Sequence, residues 1–258
     1  MVSAVASQRA FLGTSALLFA AATAATISWC GSMSQMAGMP MPGDWTMSIT
    51  WMRMPGQTWS EAAASFLRMW MVMMVTMMLP SLVPMLWRYQ QAVGRTPRPG
   101  RLTALAGLGY LVVWAAIGLG VFPVGAALAS MEMEYPALAR IVPTALGVAV
   151  VILGLLQFTA WKARLLACCR QAPVCHATRA DVATAWQQGL RLGLQCSGCC
   201  ANLMAIALLI GVMDLRAMAF ATAAITVERL APAGQVAARG VGVAIIGMGL
   251  VLIARASG

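Results

Sequence analysis

Seven stretches of this sequence run for about 20 residues with few charges, the length an α-helix needs to cross ~30 Å of hydrocarbon. They cover roughly 10–29, 63–87, 102–121, 138–160, 193–212, 214–230 and 236–254. Inside a bilayer each backbone polar group has to be satisfied within the chain, so such stretches become helices. The chain therefore reads as all-α: a polytopic membrane helical bundle of about seven transmembrane helices, forming a single transmembrane domain over 1–258. The sixth stretch is short and begins at Asp214 and Arg216, so six helices plus a re-entrant segment are the alternative. The first follows Arg9 and ends near Thr26 in the manner of a signal peptide. Its apolar run exceeds the usual h-region, and it is read as a retained helix.

Apolar residues make up 61% and charged residues 9% of the chain, against roughly 45–50% and 25% in a soluble domain. An ordinary water-soluble enzyme is excluded. The 17 Lys and Arg outnumber 7 Asp and Glu, a net charge of +10. In a soluble protein that excess would suggest nucleic acid; here it reads as loops beside a membrane, with lipid and not nucleic acid as partner. With one His and no nucleophile and base pairs in view, no enzymatic activity is expected.

Orientation follows from the cations. With a cytoplasmic N-terminus, the inner side holds twelve: Arg9, Arg88, Arg95, Arg98, Arg101, Lys162, Arg164, Arg170, Arg179, Arg191, Arg229 and Arg239. Five lie outside: Arg53, Arg68, Arg140, Arg216 and Arg255. That bias is the positive-inside pattern. It makes 30–62 an extracytoplasmic loop rich in Met and Trp, and 162–191 a basic cytoplasmic loop with Cys and His.

Sulfur is the unusual ingredient, with 21 Met and 7 Cys. The outer loop carries Met33, Met36 and Met39, then Met41, Met47, Met52 and Met54. A thioether is a soft, uncharged ligand suited to Cu(I) where thiols would be lost to disulfides. A loop lying on the bilayer surface, anchored by Trp29, Trp45, Trp51 and Trp59, is the alternative; it accounts for the tryptophans and not for the methionines. In the second stretch Met69, Met73 and Met77 recur at i, i+4 and i+8, with Met74 and Met78 as a second row. This sulfur-bearing face suits passage of a soft cation, and packing by an adaptable side chain is the competing account. Pro80 and Pro84 remove backbone donors below it, leaving carbonyls for Ser81, water or an ion to satisfy.

Cys196, Cys199 and Cys200 are spaced three and four apart, which puts three thiols over one helical face within about a turn. Thiolates at that spacing bind Cu(I) or Zn(II), copper being the first choice and zinc the second. The alternative is close helix packing, since Gly193, Ser197, Gly198 and Ala201 accompany them. Upstream, Cys169, Cys175 and His176 lie on the same expected side and are available to complete a four-ligand site. Glu228 and Arg229 close the sixth stretch, where a carboxylate is costly unless paired. Asn202, a turn deeper than Gly198, is placed to bond across helices.

The runs MWMVMMVTMMLPSLVP (Met69 to Pro84), CCRQAP (Cys168 to Pro173), GLRLGLQCSGCCANLM (Gly189 to Met204) and GVMDLRAM (Gly211 to Met218), with Glu228 and Arg229, resemble a bacterial family of predicted metal-binding integral membrane proteins of unknown function. The resemblance spans roughly 65–235 and places marked positions at Met77, Met78, Pro80, Cys169, Arg170, Pro173, Cys196, Gly198, Cys199, Met204 and Glu228. This chain departs from that family's pattern at Leu165 and Ala201. Taken with the sulfur pattern, it implies a multi-pass protein of the bacterial cytoplasmic membrane that binds or transfers Cu(I), for a cuproenzyme or across the membrane. The alternative is an accessory or assembly subunit of a larger oxygenase, respiratory or photosynthetic membrane complex, docked on partner subunits.

Overall fold

The structure, a computed structural model, describes residues 2–35, 39–41, 45–54, 56–94, 96–170, 181–212 and 214–257. Among them α1 (Val2–Gln35) is followed by a hairpin of β1 (Met39–Met41) and β2 (Trp45–Met47), then a 3-10 turn (Ile49–Trp51). Seven more helices follow: α2 (Trp59–Ala92), α3 (Pro99–Glu134), α4 (Pro136–Leu156), α5 (Ala160–Arg170), α6 (Val182–Ile210), α7 (Leu215–Leu230) and α8 (Gly234–Ser257). Six of the eight, all but α5 and α7, are long and apolar enough to cross a membrane.

Both expected loops are shorter than 30–62 and 162–191. Neither a charge nor a proline interrupts the chain between Arg9 and Pro40, so α1 continues to Gln35. In the hairpin, Met39 stands opposite Met47 and Met41 opposite Trp45, where only irregular chain was expected. At the other loop α5 turns Lys162, Leu166 and Cys169 inward at helical spacing and leaves Arg164 and Cys168 exposed. Asp181 then starts α6 with a capping box, its side chain accepting from the Thr184 backbone while Thr184 reaches back. Those bonds hold the Asp181 carboxyl below the usual carboxylate range.

The helices alternate in direction. Gln90 of α2 donates to Ser7 of α1, and Thr26 meets Thr76. The Trp70 indole donates to the Trp114 carbonyl, joining α2 to an antiparallel α3. α3 and α6 run parallel, since Ala106 lies against Gly189 and Val113 against Gly193. A side chain at Gly189 would collide with the Ala106 backbone, so the missing Cβ is what permits this crossing. α4 and α8 are antiparallel, with Gly147 against Gly249 and Ile253, and Gly154 against Ile245 and Ile246. The 16 residues of α7 span about 24 Å at 1.5 Å each, short of the hydrocarbon thickness. It nevertheless returns the chain from the end of α6 to the start of α8.

Half of the apolar window of α2 and of α6 is buried, against at most 22% for the other spans, so these two helices form the centre. The hairpin end is closed by packed rings, with Phe66 tilted against Trp51 and Phe122 and stacked on Trp70. The Trp45 indole there donates to the Ala139 carbonyl.

Candidate metal centre

Because α6 starts at Val182, Cys196 lies 14 residues inside it, about 21 Å along the axis. The apolar stretch placed it at the helix entrance. That reading fails because Gln187 and Arg191 occupy the exposed side of turns whose other side, Ala185, Gln188, Gly189 and Leu192, is buried. Cys196, Cys199 and Cys200 are themselves buried in the core.

Cys196 is the hub. Its Sγ is 3.9 Å from Cys200 Sγ and 3.9 Å from Met78 Sδ. Sulfurs bound at about 2.3 Å to one ion stand about 3.8 Å apart in a tetrahedral site and about 4.0 Å apart in a trigonal one. Both separations fit an ion. The Cys199 and Cys200 thiols both donate to the Cys196 carbonyl, at 3.3 and 2.8 Å, and Cys199 also shares a hydrogen bond with Cys169 of α5. Among the described residues, no three His, Cys, Asp or Glu side chains are placed to hold an ion together. Beside the α6 thiols, α2 supplies a further soft donor, the Met78 thioether. Cys169 is buried beside the group, its thiol held below the usual range by the Cys199 hydrogen bond and the nearby Arg229 charge.

A cation sits among these sulfurs. The Arg229 guanidinium donates to Cys196 Sγ at 3.0 Å, Ser81 Oγ at 2.8 Å and Met85 Sδ at 3.0 Å. The Tyr110 hydroxyl donates to Cys196 Sγ at 3.0 Å from α3. Ser81, expected to satisfy carbonyls freed by the prolines, donates instead to the Met78 carbonyl, which neither proline frees since Pro80 and Pro84 leave those of Thr76 and Pro80.

Glu228 and Arg229, adjacent in sequence, serve different networks. Glu228 pairs with Lys162 of α5 at 2.8 Å, both side chains 2% exposed, and accepts from Gln157 at 2.9 Å. The Lys162 ammonium also donates to the Cys199 carbonyl and to Asn202 Oδ1, so Asn202 bonds across helices as its depth suggested. This pair is neutral overall and pins the backbone of the cysteine turn.

The other candidate ligands named from sequence fall into three groups. Met73, Met74 and Met77 are buried along α2 above Met78. Met33 ends α1 half-buried and Met39 is exposed on β1, both at the hairpin end. From Phe66, which contacts that end, to Met78 is about 18 Å of helix rise, the length the methionine rows fill. Met36, Cys175 and His176 lie outside the described residues. Sequence reading missed Tyr110, Met85 and the inward turn of Lys162. Only the i, i+4, i+7 spacing of Lys162, Leu166 and Cys169 signalled the last.

No curated protein and no solved structure matches the chain. A family model described as a copper chaperone, PpoB2, matches residues 67–252, which takes in Met78, Cys169, the three α6 cysteines, Glu228 and Arg229. With most of its length matched, including both central helices, the chain belongs to the PpoB2 copper chaperone family.

Proposed function

We propose that this protein holds Cu(I) between Met78, Cys196 and Cys200 and passes it by ligand exchange, with Cys169 and Cys199 as the next sulfurs. The observation carrying this reading is that α2 and α6 bring a thioether and two thiols within 3.9 Å steps of one another in the buried core. Soft sulfur donors favour Cu(I) over harder ions, and transfer between such donors exchanges one Cu–S bond for another without oxidation or reduction. Cu(I) arrives from Met33, Met36 and Met39 at the outer end and descends the row of Met73 and Met77. It leaves toward the basic, cytoplasmic end or to a cuproenzyme docked on the membrane domain.

Metal analysis of the purified full chain, loaded anaerobically with Cu(I), tests the centre. Cys200→Ser is expected to lower the copper content, and Cys196→Ser to abolish it. Met78→Leu preserves volume at a cost below about 1.5 kcal/mol, so it should weaken binding with little change in melting temperature. Full copper loading in both serine variants would refute the reading.

A further inference from the structure

Arg229 is 3% exposed, and among the described residues no carboxylate pairs with it, because its neighbour Glu228 is engaged by Lys162. A guanidinium cannot shed its proton in a protein. Its charge is therefore a permanent feature of the sulfur site, 3.0 Å from the hub thiol and anchored by Ser81 and Met85. Buried charge is costly unless compensated.

We infer that Arg229 is a specificity-determining residue that makes this site select monovalent over divalent soft cations. The inference rests on the ligand set proposed above. Met78 contributes no charge, and Cys196 and Cys200 contribute two negative charges as thiolates. One monovalent ion together with the guanidinium neutralises them. A divalent ion on the same ligands leaves one positive charge uncompensated in the interior. Arg229 thus acts through charge and position without binding the cargo, and Tyr110 and Ser81 hold the geometry around it.

Ag(I) and Cd(II) separate charge from softness, since both are thiophilic ions with filled d shells. Competition between them is measured by metal analysis on the full chain in detergent or nanodiscs. The wild type is expected to prefer Ag(I). Arg229→Gln should lower the Ag(I) to Cd(II) preference ~10- to 1000-fold, the scale on which one adjacent charge shifts a site. Arg229→Lys should restore most of it. An unchanged preference in Arg229→Gln overturns the inference while leaving the copper site intact. Loss of sensitivity to Cys196→Ser and Cys200→Ser would instead overturn the site itself. Should Arg229→Gln fail to fold, Arg229→Met, which removes the charge and keeps an apolar stem, is read in the same way: an unchanged Ag(I) to Cd(II) preference overturns the inference.

Discussion

Lys162 and Glu228 illustrate how single side chains are fixed by charge in an apolar interior. Each is 2% exposed, and their contact is reinforced by Gln157 and Asn202. Removing one member leaves the other unpaired in low dielectric. Lys162→Met is expected to destabilise the protein by about 3–5 kcal/mol, whereas Lys162→Met combined with Glu228→Gln should recover most of the loss. Thermal unfolding in detergent reads both, and a double variant as unstable as the single one would contradict the pairing. Because Lys162 also bonds the Cys199 carbonyl, the single variant should weaken copper binding too. Arg229 shows the complementary case, a cation whose compensation comes from sulfur and not from a carboxylate.

At the scale of elements, the crossing of α3 and α6 sets the depth at which the cysteines sit. Gly109, Gly189 and Gly193 bring the two backbones together, and a methyl at Gly189 would meet main-chain atoms that cannot rotate away. Gly189→Ala should therefore cost about 1–3 kcal/mol as overpacking, even though alanine is the better helix former. It should also pull Cys196 from Tyr110, which lie seven residues beyond Gly189 on α6 and four beyond Ala106 on α3. A melting temperature at or above wild type would show that the crossing is looser than described. α2 makes the opposite use of side chains: its methionines fill the space between α2 and its neighbours with sulfur, so the atoms that pack the interface are also those of the proposed copper route.

The whole molecule reverses direction at each long helix and at α7, so α1 begins at one end of the bundle and α8 finishes at the other. From the cation bias of the sequence we propose that the α1 end is cytoplasmic. Reporter fusions before Met1 and after Gly258 are expected to read opposite sides, cytoplasmic and extracytoplasmic respectively. Two reporters on one side would mean that α7 fails to carry the chain across. Such a molecule has its methionine hairpin on one side, its basic α5 on the other and the thiol site between them. That this chain is a helical membrane bundle was legible in its residues alone, because twenty apolar residues in lipid satisfy their backbone as a helix. So were the sulfur-bearing faces of Met73 and Met77 and of Cys196, Cys199 and Cys200, because helical period is local. Which faces meet was settled by tertiary packing: Met78 comes across from α2 to Cys196, and Glu228 turns to Lys162 while Arg229 turns to sulfur. Successive residues on a helix point about 100° apart, and the partner each finds depends on how distant helices pack, which no local pattern encodes.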